Sequence, residues 1–228
     1  MPRYVIGDIH GGSRTFLALL EQISLKHDDT LYLLGDYVDR GPDSKGVLDN
    51  IIQLQSDGYD VRPVRGNHDD MMLRNCTGGH DGYSSVWMEY WGNDVLKSFG
   101  VIHPAEIRFR YVTLIESMPL VRFDDHFVFV HAGLDMSKTD PINQTSREFM
   151  LWSRTGYVNI AKLGGRRLIT GHTVYNLEQI RASLTTIHIN LDNGAFTCDL
   201  PERGNLLALN LETMKLLIQP WLDGDVEY

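Results

Sequence analysis

Five short segments of this 228-residue sequence join metal-type donors to glycine: Gly7-Asp8-Ile9-His10-Gly11, Gly35-Asp36-Tyr37-Val38-Asp39-Arg40-Gly41, Gly66-Asn67-His68-Asp69, His131-Ala132-Gly133 and Gly171-His172-Thr173. Asp8 and His10 stand two apart, a spacing that in extended backbone turns both side chains to one side, where a single ion can take both. The glycines let the chain turn away sharply and leave space beside the donors. Carboxylate, imidazole and amide oxygen without thiolate suit Mn, Fe or Zn better than a cysteine-built structural zinc. One carboxylate can bridge two ions. Two ions about 3.5–4 Å apart clamp a phosphate oxygen and generate hydroxide near neutral pH, so this donor set predicts hydrolysis of phosphate esters.

The elements that must position these donors follow from periodicity. Residues 4–7 form a strand-like run before a glycine turn, and Phe16, Leu19, Leu20 and Ile23 then recur at helical spacing, with Ser13 as the expected N-cap. The pattern repeats: an apolar strand over 31–34 precedes Gly35, and Val47, Leu48, Ile51 and Ile52 mark a helix beginning near Ser44. A third strand over 60–64 ends at Gly66. Strands alternating with amphipathic helices imply βαβ units and a mainly parallel sheet, with the strand ends bearing Asp8, Asp36 and Asn67 on one edge. Residues 70–117 carry helical spacing. Further strands are expected over 127–130, 168–170 and 186–191, and a closing hairpin over 206–218, turning at Glu212 and Thr213.

Composition sets the outer bounds. The chain is 43% hydrophobic and 22% charged, ordinary globular values that predict one domain over residues 1–228. A net charge of −9 argues against broad nucleic-acid binding, and no apolar run has the length to cross a bilayer. With no leader-like N-terminus, and with Cys76 and Cys198 far apart and outside any CxxC spacing, a cytoplasmic protein is expected.

Taken in this order over residues 4–173, the motifs resemble those of the phosphoprotein phosphatases, part of the calcineurin-like metallophosphoesterase superfamily, and above all the short bacterial and phage serine/threonine phosphatases. The resemblance implies an α/β calcineurin-like metallophosphoesterase fold, βαβ units forming a central β-sandwich flanked by helices. It implies two divalent ions, Mn by preference with Fe or Zn as alternatives: the first on Asp8, His10 and Asp36, the second on Asp36, Asn67, His131 and His172, with Asp36 as the bridge. His68 becomes the general acid, held by Asp39, and Arg40 and Arg154 grip the phosphate. These roles agree with the chemistry, because an imidazolium beside a carboxylate is a competent proton donor and guanidinium forks match phosphate oxygens.

The resemblance leads first to a phosphomonoester hydrolase acting on phosphoserine and phosphothreonine by direct attack, without a phosphoenzyme. The alternative is a symmetrical dinucleoside tetraphosphate hydrolase. Those enzymes share the five motifs but commonly lack an acid at the position of Asp39, so retention of Asp39 favours monoesters. Asp69 after His68, and a single glycine after His131-Ala132, depart from the eukaryotic protein phosphatases, which usually carry Glu and a second Gly there. A non-catalytic metal-binding scaffold is the third reading, and the full ligand set opposes it. The partners expected are a phosphorylated protein or a small phosphoester, with no nucleic acid and no membrane. His27, His80, His103, His126 and His188 are expected to be structural or exposed, and Asp192-Asn193-Gly194-Ala195 to be a scaffold turn near the site. Tyr83, Trp87, Tyr90 and Trp91, helically spaced, are expected in the core rather than over the cleft. Asp69 and Asp70 are expected to open a helix and complement its dipole.

Overall fold

A computed structural model describes residues 1–79, 82–154, 156–197 and 200–224, with the side chains of Tyr83 and Ser84 excepted. His80 and Cys198 therefore lie outside the described residues, as does the Tyr83 side chain. Two mixed sheets stack face to face. The first takes β1 (Arg3–Ile6), β2 (Thr30–Leu33), β3 (Asp60–Pro63), β8 (Asn205–Asn210) and β9 (Lys215–Pro220) in the order β3-β2-β1-β8-β9. The second takes β4 (Val121–Phe123), β5 (Phe127–Val130), β6 (Arg167–Thr170) and β7 (His188–Asn190) in chain order. Parallel pairing joins β1 to β2, β2 to β3, β5 to β6 and β6 to β7, while β4, β8 and β9 pair antiparallel. The sheets are thus more mixed than the expected mainly parallel one, because the closing hairpin pairs antiparallel with β1 and β4 pairs antiparallel with β5.

Period-two alternation along the strands builds the layers. Val5, Tyr32, Leu207 and Leu209 of the first sheet meet Phe127, Phe129, Ile169 and Ile189 of the second, and Tyr32 stacks on Phe129 with centroids 3.9 Å apart. The opposite face of the first sheet, Ile6, Leu31, Leu33 and Ala208, packs under helices α1 (Ser13–Ile23) and α2 (Ser44–Ser56) through Phe16, Leu19, Val47 and Ile51. Val128, Val130 and Leu168 bury the outer face of the second sheet against Leu134, Met150 and Leu163. The architecture is α/β, a sandwich of two mixed sheets flanked by helices.

Local capping departs from expectation at one point. Ser13 is the first residue of α1, not its cap; the carboxylate of Asp223, from the far end of the chain, accepts the N–H groups of Arg14 and Thr15. Asp43 caps α2 by accepting from Gly46. Helix α3 (Asn67–Cys76) starts directly at the third motif, and α4 (Gly82–Trp87), a π-helical turn (Met88–Gly92) and α5 (Asn93–Phe99) follow as one helical run, with α6 (Phe109–Ser117) leading back to the second sheet. No helix among the described residues is long and apolar enough to cross a membrane.

Candidate active site

Because β1, β2 and β3 run parallel in register, the loops after them place Asp8, His10, Asp36, Asn67 and His68 along one edge. His131 follows β5 and His172 follows β6, so the second sheet delivers its donors to the same edge. Of the eight described non-glycine residues with positive φ, five are motif residues: His10, Asp36, Asp39, Arg40 and His172. Left-handed backbone at ordinary residues costs on the order of 1–3 kcal/mol each, and such strain gathers where function requires a particular geometry.

Asp36 stands at the centre. Its Oδ2 lies 3.6 Å from His10 Nε2 and 3.4 Å from His131 Nε2, while its Oδ1 accepts the His68 N–H at 3.0 Å. His10 and His131 give Nδ1–H to the carbonyls of Val38 and Leu34 at 3.1 and 2.9 Å, which fixes the tautomer and turns each Nε2 inward. Imidazoles that bind metals are oriented by such bonds. Asn67 Oδ1 lies 2.8 Å from His131 Nε2 and 3.1 Å from His172 Nδ1. Two donor groups share Asp36, His10–Asp36–His68 and Asp36–His131–His172, each with ligand atoms within 4.8 Å of one another. Asp8 belongs to neither group. Its Oδ2 accepts the His172 N–H at 2.9 Å, and its buried Oδ1 has no hydrogen-bond partner.

That orphaned oxygen tests the fit of a cation. Asp8, Asp36 and Asp192 are all buried, and burial followed by the charges of Asp192 and Asp36 pushes the Asp8 carboxyl well above the usual range. Burial opposes the charge of Asp36 too, yet His131, His68, His10 and His172 hold its carboxyl below the usual range. Burial also drives His10 and His172 down to about 3, so both imidazoles are neutral and hold free lone pairs. Uncompensated buried carboxylates beside neutral imidazoles suit divalent cations, with oxygen and nitrogen donors and no thiolate. Close approach accounts for two motif glycines: a Cβ at Gly171 would lie 1.9 Å from Asp8 Oδ1, and one at Gly66 would lie 2.1 Å from Asp36 Oδ1.

The remaining motif residues surround an open cleft of about 510 Å³ lined by His10, Asp36, Arg40, Asn67, His68, Arg154 and His172. Asp39 Oδ2 lies 2.5 Å from His68 Nδ1. Burial works against a charged His68, but Asp36 and the Asp39 hydrogen bond outweigh it, and the net effect raises its pKa. The Arg40 guanidinium lies between two rings, 4.8 Å from the Trp91 centroid and 4.9 Å from that of Phe196. Arg154 is exposed and reaches the cleft beside Trp152. All ten residues singled out from sequence as ligands, acid pair or phosphate grips therefore converge, Asp39 from behind His68 and Asp8 beneath His172.

Several neighbours were not foreseen. Trp91 packs against the first core cluster but also lines the cleft, edgewise on His68 with centroids 4.7 Å apart, and Tyr90 is 63% exposed, so these two helically spaced aromatics are not confined to the core. Trp87 is buried as expected, but its indole N–H donates to Asp39. Asp69 does more than complement a dipole, since its carboxylate accepts the N–H groups of Asp36, Tyr37 and Gly66 and ties the second motif to the third. Asp70 pairs with Arg65, Arg74 and Arg147. Asp192, in the expected scaffold turn, lines the cleft and accepts from Gly194. Among the other histidines, His27 stacks on Tyr59, His103 Nδ1 accepts from Ala105, His126 is exposed and His188 bonds Thr170, all apart from the donor groups. The half-buried Cys76 thiol is pushed up to about 12 by burial.

A family model described as calcineurin-like phosphoesterase matches residues 1–186. The chain is 36% identical over 135 residues to a Nitrosomonas europaea protein named bis(5'-nucleosyl)-tetraphosphatase, symmetrical; the match covers 59% of this chain and 45% of that protein, so the chain spans less than half the length of this curated relative. Among solved structures it superposes with a TM-score of 0.69 on a protein provisionally described as a diadenosine tetraphosphatase, at 21% identity and covering 98% of this chain and 95% of the other. On a Saccharomyces cerevisiae serine/threonine phosphatase the TM-score is 0.59, at 16% identity and covering 98% and 81%. At those identities the structural likeness is one of fold. With the family model spanning both donor groups, the chain belongs to the calcineurin-like phosphoesterases.

Proposed function

We propose that this chain hydrolyses phosphate–oxygen bonds in its cleft, with two divalent ions held through Asp8, His10, Asp36, Asn67, His131 and His172, and that symmetrical dinucleoside tetraphosphates are its substrate class. The observation that carries the hydrolase reading is Asp36 Oδ2 set between two inward-turned imidazole nitrogens, beside the orphaned Asp8 oxygen. The substrate class rests on the named relative, and it favours the alternative raised from sequence over the protein phosphatase placed first there.

When bound, such ions supply Lewis acidity at a phosphate oxygen and a nucleophilic oxygen at neutral pH. The protein's own residues supply the rest. Arg40, its planar face held between Trp91 and Phe196, and Arg154 across the cleft present fork donors to the phosphate and stabilise the charge that grows in the transition state. As a water oxygen forms the new bond to phosphorus and releases a proton to solvent, the bond to the leaving oxygen breaks and His68 passes its Nε2 proton to that oxygen while Nδ1 stays with Asp39; His68 regains its proton from solvent.

The Asp39–His68 pair is also the observation that favours a second reading, phosphomonoester hydrolysis, because an alkoxide needs that proton more than a diphosphate does. Parallel turnover of diadenosine tetraphosphate and of phosphoserine and phosphothreonine peptides with added Mn separates the two. The first reading expects ADP as the sole nucleotide product and a higher kcat/KM than for any peptide. Faster peptide turnover overturns it in favour of the second, and no turnover of either overturns both.

A further inference from the structure

We propose that Trp87 is a positioning residue for the proton donor: its indole N–H holds the Asp39 carboxylate in the plane that keeps His68 aimed into the cleft. This rests on the reading of His68 as general acid. Trp87 is fully buried at the end of α4, and its Nε1 lies 2.9 Å from Asp39 Oδ1 and 3.1 Å from Oδ2, bridging both oxygens. A buried indole needs one acceptor for its N–H, and a backbone carbonyl would serve a purely structural tryptophan. Here the acceptor is the carboxylate that holds His68 Nδ1 at 2.5 Å.

Held by His68 alone, the Asp39 carboxylate could turn about its Cβ–Cγ bond, a broad and soft torsion. A donor bridging its two oxygens removes that freedom. Among the described residues Asp39 is otherwise fixed through its backbone, where a positive φ of 71° is supported by the bond from its N–H to Ser44 Oγ. The same helical run holds the other member of the pair, since Trp91, one turn on through the π turn, packs against the His68 ring. The run is itself tied to α2, the helix that follows the motif carrying Asp39: the Lys45 N–H, two residues past the Asp43 cap, donates to Ser98 Oγ of α5 at 2.8 Å. The segment over 82–99 thus touches both members of the acid pair, Asp39 through Trp87 and His68 through Trp91.

The test removes the donor and keeps the bulk. Trp87→Phe deletes the N–H, and site-specific replacement of Trp87 by benzothienylalanine, which carries sulfur in place of N–H in a ring of nearly the same shape, does so without a cavity. Turnover is compared on phenyl phosphate, whose leaving group needs protonation, and on 4-nitrophenyl phosphate, whose leaving group does not. Both variants are expected to lose roughly 10-fold or more in kcat on phenyl phosphate, less than about 3-fold on 4-nitrophenyl phosphate, with KM unchanged, as befits a misaimed acid. In the metal-free protein the far-downfield proton resonance of the His68–Asp39 bond should weaken or move upfield, and in an Asp39→Asn background the Trp87 substitutions should add nothing. His68→Asn is run alongside. If it discriminates between the two esters and neither Trp87 variant does, the positioning role is wrong and the acid stands; if His68→Asn slows both esters equally, the general-acid reading is wrong and the proposal falls with it.

Discussion

Gly171→Ala offers a sharp test of Asp8 as a metal ligand, because the three atoms nearest the added methyl all belong to Asp8. Its Cβ would lie 1.9 Å from Asp8 Oδ1, against about 3.4 Å for ordinary contact, so the oxygen must retreat by roughly 1.5 Å. Gly171 does not have a positive φ, and alanine is tolerated there by the backbone. Asp8 is 3% exposed and cannot swing into solvent; turning its carboxylate breaks the bond that Oδ2 accepts from the His172 N–H. Loss of a hydrogen bond to a charged group costs about 1.5–3 kcal/mol. Residual overpacking adds about 1–3 kcal/mol. The metal-free variant should therefore unfold in urea with a stability lowered by about 2–5 kcal/mol. Metal affinity should fall further, by roughly 100-fold or more on the scale of 1.4 kcal/mol per tenfold, because one oxygen leaves the site. Titration calorimetry with Mn measures this, with Gly82→Ala as control, since a Cβ there meets nothing within 4 Å. Wild-type Mn affinity in Gly171→Ala would refute both the fit of the ion and the role of Asp8.

Asp36→Asn should abolish binding of both ions, whereas loss of His172 should spare the one expected on His10 and Asp8; two equivalents of Mn retained by Asp36→Asn, by elemental analysis, would refute the bridge. Metal uptake should weaken as pH falls, because burial and the charges of Asp192 and Asp36 raise the Asp8 carboxyl and a cation must compete with the proton there, while His10 and His172 stay neutral down to about 3. Affinity that is flat with pH would refute the sign. Arg154→Lys keeps the charge and loses the fork, so inhibition by inorganic phosphate and kcat/KM should both fall with metal content unchanged; wild-type values for both would remove Arg154 from the site.

The donor set was legible because it is local: each ligand sits within four residues of a strand end and within two of a glycine, and the parallel order of β1, β2 and β3 follows from alternation of strand and helix. What escaped was long-range. Asp223 completes the first turn of α1 from more than two hundred residues away, and Trp87 reaches Asp39 across a separation of 48. Neither contact leaves a mark in any window of sequence. The aromatic spacing misled for a different reason, since a π turn over Met88–Gly92 shifts the phase of the helix and brings Trp91 onto the cleft wall, where an uninterrupted α period would carry it elsewhere. Strand β4 escaped because it is only three residues long, with no buried face to impose alternation.

Among the described residues the conflicts concentrate in one place. Five side chains on left-handed backbone, three buried carboxylates close enough to repel one another and an unpartnered oxygen occupy a single edge, whereas the sandwich beneath is built of strands whose alternate faces bury valine, isoleucine, leucine and aromatic residues without exception in β5. A chain selected for stability alone would have relaxed such positions, so their concentration marks what function demands, and the sandwich and the Asp69 bracket supply the rigidity that holds them. The same reasoning ties stability to occupancy. Cations that relieved the repulsion would bind only the folded edge, and mass action would then stabilise the fold by RT ln(1 + [L]/Kd), about 2.7 kcal/mol at a hundredfold excess over Kd. The strain that prepares the site is thus largest when the ions are absent, and it is relieved by the species that the chemistry requires.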